Sequence, residues 1–362
     1  MHYYSQDGTI FGSKIKAIEY RNKTNQEIYF YYHDDIYAQY DWTTEPTESL
    51  EYYYKQQAQR IRDNYDYVIL CYSGGADSTN ILETFHFNNI KIDKIITVGA
   101  LSKDSAFGVD ENHNGELYHN VFPYIKELGL EAITEVIDYT KYFDNINNLS
   151  IVQYQSEWID FIGPWYSPHH WFWRDLEKYV VPSNIGNKRV AIIFGKDKPG
   201  LFYTKTAKSD TFLPSGNRIL NGFFFKDTPC SDYGNLNLPA GHTNVDRVNF
   251  YWDPTYPQIL FKQLHVLNRY YTLTHTTKYD PKIGSQMFGG KMTDDIVYNL
   301  KRPLVFKSPK SKTSVLSLRD AYLTNSKDSD VYKMYESGIN IMKERIIIDE
   351  LITINSKFYE IL

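Results

Sequence analysis

Two hydrophobic patterns alternate along the chain, and their order predicts its elements. Val68-Ile69-Leu70-Cys71, the IITVGA of KIDKIITVGA (91–100) and the VAIIF of RVAIIFGKDKPG (189–200) are short, unbroken and rich in β-branched residues. Runs of this kind suit strands buried on both faces of a parallel sheet. Between them the period changes: Ile81, Leu82 and Phe85 lie at helical spacing, a second helix is expected from about Gly115 to Gly129, and EAITEVID reads as a further strand. Upstream, TTEPTESLEYYYKQQAQRIRDN opens with Pro46 in a Thr/Ser/Glu cluster and continues as a polar helix that leads into Val68.

The flanks are less regular. IKAIEY and EIYFYYH read as strands about the turn NKTNQ, giving a small β-rich lead-in over 1–45. An aromatic helical region is expected over 151–180, a Gly/Pro/Asn-rich excursion at FFFKDTPCSDYGNLNLPAGHTN, an amphipathic helix after Pro257, and further helices from KMTDDIVYNLKRPL onward. The fold expected is α/β: an open, mostly parallel, doubly wound sheet over 46–205, with the lead-in before it and a mainly helical region, 206–362, after it. In such sheets ligands bind beyond the carboxyl ends of the strands. Three strand ends are expected to converge there: Ser73–Ser78, Val98–Leu101 and Gly195–Lys198.

Composition narrows the picture. Thirty-nine basic against 44 acidic residues give a net charge of −5, so no global field recruits polyanions. The most basic stretch, KRPLVFKSPKSK (301–312), suits phosphate contact or a solvated loop, and the second reading is the more economical. Two cysteines, Cys71 and Cys230, are too few for a disulfide framework or zinc knuckle, which points to a reducing compartment. The first twenty residues lack a signal-peptide core and no run is long enough to cross a bilayer, so a soluble cytoplasmic protein without a membrane partner is expected.

The chemistry concentrates where the first buried strand stops. Ser73-Gly74-Gly75-Ala76-Asp77-Ser78 is a strand-to-helix turn. Amides at a helix N-terminus are unpaired and carry the positive end of the dipole, and glycines let an anion approach them. Ser73 and Ser78 add hydroxyl donors, so the ligand expected is a phosphate or pyrophosphate. Asp77 would repel that ligand unless a divalent cation lies between them, which points to Mg2+. The turn is neither a P-loop, since no Gly-Lys-Ser/Thr closes it, nor a three-glycine dinucleotide fingerprint. A plain Gly/Ser turn with Asp77 as a helix cap is the structural alternative.

These residues resemble the SGGxDS pyrophosphate loop of the N-type ATP pyrophosphatases, the PP-loop or adenine nucleotide alpha hydrolase-like superfamily, over about residues 60–205. The resemblance implies an enzyme that binds ATP and Mg2+, cleaves ATP between the α- and β-phosphates, and activates a substrate oxygen as an adenylate. Ser73, Gly74, Gly75, Asp77 and Ser78 would then hold pyrophosphate and its magnesium, and Val98 and Gly99 would border the adenosine. Gly195-Lys196-Asp197-Lys198 is similar in place to a glycine and acidic segment of asparagine synthetase-like members. By that likeness Gly195 joins the nucleotide site, Asp197 is a second metal contact, and Lys196 or Lys198 neutralises the departing pyrophosphate; a surface turn is the other reading. KTSVLSLRDAY resembles a late synthetase segment, which makes Lys312 and Arg319 candidates for phosphate contact, against an exposed helical face.

Within the superfamily, amidotransferases carry a glutaminase domain with an N-terminal cysteine. This chain begins Met1-His2-Tyr3, so ammonia would come from solution or from a partner protein. Sulfur-transfer members need a reactive thiol; Cys230 is the only loop candidate, and Cys71 reads as a small buried hydrophobe. WIDFIGPWYSPHHWFWRDLEKY (158–179) offers Trp165, Trp171, Trp173, His169 and His170 as a stacking wall over a base or as core packing, the latter favoured; adjacent histidines make a poor metal pair. The leading expectation is therefore an adenylating, C–N bond-forming enzyme of the asparagine synthetase-like group. Alternatives are a sulfur-transfer or nucleic-acid base-modifying enzyme, or a nucleotide-binding module without turnover. The acceptor, small molecule or nucleic acid, is not specified, and the aromatic content is compatible with a homo-oligomer interface.

Overall fold

A computed structural model describes residues 2–11, 14–101, 114–138, 140–141, 176–195, 201–206, 218–223, 244–275, 285–288, 296–305, 328, 330–345 and 359–361. The chain opens with strands β1 (Tyr3–Ser5) and β2 (Ile10–Phe11), helix α1 (Lys14–Thr24) and β3 (Ile28–Phe30). The three strands form an antiparallel sheet in the order β2-β1-β3. IKAIEY, expected as a strand, is helical. Its isoleucines suggest β structure, but Ile15 and Ile18 are buried one helical turn apart and Ala17 joins them on the inner face, so packing overrides propensity.

After the short helix α2 (Asp34–Tyr37) comes α3 (Leu50–Asn64), whose N-cap Ser49 accepts the Tyr52 amide at 3.2 Å. The chain then builds its main sheet from β4 (Tyr67–Cys71), α4 (Ala76–Phe87), β5 (Lys94–Gly99), a π-helical turn (Leu117–Val121) running into α5 (Phe122–Glu127), β6 (Thr134–Asp138), α6 (Leu176–Val180) and β7 (Val190–Phe194). The fifth strand, β10 (Val245–Asn249), follows β8 (Leu201–Thr206) and β9 (Arg218–Phe223). It therefore comes from the stretch expected to lie beyond the sheet.

All five strands run parallel in the order β10-β7-β4-β5-β6. Successive strands step outward from β4 through β5 to β6; the chain then returns to β7 on the other side of β4 and steps outward again to β10. The order reverses between β4 and β7, so a crevice is expected beyond their carboxyl ends. Ile69, Lys94, Ile192 and Arg247 share one register row and so one face of the sheet. That face carries α6: Lys94 Nζ donates to Val180 O at 2.9 Å, and the Arg247 guanidinium grips Glu177 at 2.5 and 2.7 Å. Tyr72 faces the opposite way and accepts the Thr79 hydroxyl of α4 at 3.4 Å. Helices thus cover both faces, and β7 is buried along its whole length, which explains its unbroken apolar run.

The remainder contains α7 (Gln258–His275), β11 (Ser285–Phe288), α8 (Asp330–Arg345) and β12 (Tyr359–Glu360). The region expected to be mainly helical also contributes three strands, β9, β11 and β12, which join β8 in a four-stranded antiparallel sheet, β11-β8-β9-β12. Its strands are short, β8 and β9 are joined by more residues than a tight hairpin uses, and β11 and β12 lie far along the chain from their partners, so no compact hairpin signal announces them. Helix α7 packs on α3 and α3 on α4, which links this region to the parallel sheet. No described helix is long and apolar enough to cross a membrane.

The Arg247–Glu177 pair is buried, with side-chain exposures of 7% and 0%. Arg247→Leu strands a carboxylate in the core and is expected to lower unfolding free energy by about 3–5 kcal/mol in urea titrations. The double variant Arg247→Leu/Glu177→Leu removes both charges and is expected to recover most of that loss.

Candidate functional site

β4 ends at Cys71, and Tyr72 N–H still reaches Ile96 O of β5 at 2.7 Å. The chain then leaves the sheet. Gly74 adopts φ +79°, a left-handed conformation that side chains rarely tolerate, and Gly75, extended at φ −80° and ψ 167°, caps α4. A Cβ on Gly74 would lie 2.7 Å from Val121 Cγ2, so the turn is closely backed from beneath. Asn120 completes that backing by donating Nδ2–H to Gly74 O at 3.0 Å.

The two serines differ in role. Ser78 is buried; its Oγ accepts the Ser73 amide at 3.2 Å, lies 3.1 Å from Ser73 Oγ and donates to Gly75 O at 3.2 Å. It closes the turn on itself. Ser73 is exposed, and Gly75 and Asp77 are partly exposed. The Thr79 amide, bonded to Gly75 O at 3.0 Å, makes the first intrahelical bond, so the amides of Gly75, Ala76, Asp77 and Ser78 precede the helical ladder. Gly75 N–H has a long contact, 3.3 Å, to Ser73 Oγ. The arrangement suits an anion seated on backbone N–H groups with Asp77 beside it.

Gly195 sits against the same turn. A Cβ there would lie 2.8 Å from Ser78 N and 3.0 Å from Asp77 C, so the end of β7 meets the first turn of α4 almost backbone to backbone. This brings together two of the three strand ends expected to converge. At the third, Val98 is half-buried and Gly99 buried; Asn114 bridges the backbone of Ala100 at 2.8 and 2.7 Å, and Asp138 accepts the Leu101 amide at 2.9 Å. Lys196, Asp197, Lys198, Cys230, Lys312, Arg319, the aromatic residues of 158–175 and Lys307–Lys312 lie outside the described residues.

Nothing in the sequence points to the groups that bond Asp77. Tyr298 Oη donates to Asp77 Oδ1 at 2.5 Å, and Tyr251 Oη donates to Asp77 O at 2.7 Å while accepting Asn80 Nδ2 at 2.9 Å. The Tyr251 and Tyr298 rings lie 5.4 Å apart, with Tyr54 5.8 Å from Tyr251. Burial, and then the Asp77 charge, pushes the Tyr298 phenol well above its ordinary range; burial and then Tyr54 do the same to Tyr251. Both remain neutral donors. In a chain with 33 tyrosines, nothing in the sequence marks these two.

Among the described residues no three His, Cys, Asp or Glu side chains gather into a metal cage. A lone carboxylate beside an anion seat suits a magnesium ion that arrives with a polyphosphate, because Mg2+ is commonly held by one or two carboxylates plus phosphate oxygens. A separate groove of about 440 Å3, lined by Arg60, Arg189, Asp246 and Asp253, contains no residue of the 73–78 turn. Its charges are largely engaged: Arg60 and Arg189 lie over the Tyr256 and Tyr65 rings, and Asp253 accepts Gln57 Nε2 at 2.8 Å. Comparison with protein-family models, curated proteins and solved structures finds no match to this chain.

Two outcomes follow from the geometry. Gly195→Ala drives a methyl group into the first turn of α4 and is expected to cost about 1–3 kcal/mol in chemical denaturation. Burial pushes the Cys71 thiol up and so suppresses the thiolate. In a Cys230→Ser background, a thiol reagent at pH 8 is expected to label native protein far more slowly than protein unfolded in guanidinium.

Proposed function

We propose that the chain is an ATP-dependent adenylating enzyme of the PP-loop type, which activates a carboxylate or carbonyl oxygen for attack by an amine or ammonia. The observation that carries the reading is the position of SGGADS: the glycine turn and the α4 amides lie at the sheet's reversal point, between the ends of β4 and β7. A cap-only role for the turn explains neither the exposed Ser73 and partly exposed Asp77 nor the placement at that crevice.

In this reading the α4 amides and Ser73 bind the β- and γ-phosphates, Ser78 keeps the turn closed, and Val98 and Gly99 border the adenosine. Asp77, with Asp197, would hold magnesium, which supplies neutralisation of the phosphate charge. Lys196 or Lys198, which follow Gly195 in sequence, would neutralise charge on the departing pyrophosphate. The acceptor oxygen attacks the α-phosphorus, the bond to the pyrophosphate oxygen breaks, and the amine then displaces AMP from the adenylate. Preorganised amides contribute most where charge grows on the leaving pyrophosphate. The buried thiol of Cys71 is unsuited to sulfur transfer, which leaves Cys230 as the thiol of the alternative sulfur-transfer reading.

Product analysis of α-³²P-ATP with Mg2+ and a fractionated metabolite and nucleic-acid extract tests this. AMP and pyrophosphate are expected in equal amounts, with the rate lowered about 100-fold or more in Asp77→Ala. ADP as the product overturns adenylation, and tight ATP binding without turnover in any fraction replaces it with a nucleotide-binding module.

A further inference from the structure

One segment of the C-terminal region, residues 296–305, is fastened to α4 and its turn at three levels. Tyr298 reaches Asp77 in the first turn. Further along, the backbone amides of Lys301 and Arg302 converge on Glu83: Lys301 N–H lies 2.9 and 3.0 Å from its two oxygens and Arg302 N–H 3.4 Å from one, while Tyr124 Oη donates to the same carboxylate at 2.5 Å. Finally Val305 N–H donates to Asn120 Oδ1 at 3.1 Å, and Asn120 Nδ2 holds Gly74 O. The opposite end is anchored where Tyr54 Oη donates to Val297 O at 2.8 Å.

We propose that Tyr298 is the positioning residue of Asp77, orienting its carboxylate for the cation that accompanies a bound polyphosphate. This inference rests on the nucleotide–magnesium reading above. A lysine or arginine in the same place would orient the carboxylate but also bring a positive charge against it; a phenol donates a hydrogen bond and brings none. The segment's other fastenings hold Tyr298 in register: Glu83 and Asn120 fix its backbone to the element that carries Asp77 and to the turn beside it. Tyr251, bonded to the Asp77 carbonyl, fixes the backbone while Tyr298 fixes the carboxylate.

The test measures cation binding rather than turnover. Mn2+ is titrated by electron paramagnetic resonance into the full chain saturated with α,β-methylene-ATP, and nucleotide affinity is measured separately in EDTA. Tyr298→Phe keeps the ring and removes the donor; it is expected to weaken Mn2+ binding about tenfold or more, as loss of a partner that orients a metal ligand does, with metal-free nucleotide affinity changed less than about twofold. Tyr65→Phe, which loses a phenol bonded to Asp246, away from Asp77 and from residues 296–305, is expected to leave Mn2+ affinity unchanged. Tyr298→4-aminophenylalanine retains a neutral ring donor at the same reach and is expected to stay within about threefold of the parent chain, which keeps the test decisive should the phenylalanine variant not fold. Equal Mn2+ affinity in the parent and Tyr298→Phe, an equal loss in Tyr65→Phe, or a parallel loss of nucleotide and Mn2+ overturns the inference alone. Absence of nucleotide or Mn2+ binding in the parent chain overturns the nucleotide reading and this inference with it.

Discussion

The backbone amides at the start of α4 have no carbonyl of their own helix to bond, and the organisation of the sheet's carboxyl end follows from that deficit. A helix aimed this way leaves a concentrated positive pole at the reversal point between β4 and β7. To keep it accessible, the chain must leave β4 abruptly and enter the helix without bulk in the way. Gly74 supplies the left-handed turn, and Ser78 folds its hydroxyl inward to hold the turn shut. Gly195 lets β7 approach so closely that the turn and the neighbouring strand end form one surface.

A second constraint is electrostatic. Asp77 places a negative charge on the pole where an anion is expected, and the two phenols that bond it add no positive charge of their own. Buried phenols donate to it and stay protonated, so the carboxylate is solvated by the protein without acquiring a counter-ion from them. Glu83, one and a half turns farther along the same helix, is treated similarly by two amides and a phenol. The helix thus carries two carboxylates satisfied by neutral donors, one half-buried at the turn and one buried against residues 301 and 302.

What was legible in the sequence was local. The continuous apolar runs marked β4, β5 and β7 because strands covered on both faces have no polar side to alternate with. The turn was legible because Gly74 and Gly75 do a job that no other residue type does as readily. IKAIEY misled because isoleucine satisfies either period and only its neighbours decide between them. The fifth strand, β11 and β12 escaped notice because their partners lie far away along the chain, and pairing at a distance leaves no short-range trace. Tyr251 and Tyr298 escaped for the same reason: a hydrogen bond to Asp77 from 221 residues away is invisible to any window of sequence.

That separation has a consequence for how the protein is made. The glycine turn and α4 leave the ribosome early, whereas β10, Tyr251 and Tyr298 emerge after most of the chain has been synthesised. During the interval β7 lacks its outer neighbour and the Asp77 carboxylate lacks its phenol. At about 5–20 residues per second, the gap between Asp77 and Tyr298 lasts on the order of ten seconds or more. The nascent chain therefore holds an exposed sheet edge and an unfinished anion seat for a period long on the timescale of folding, and a chain terminated before Val245 would retain both permanently.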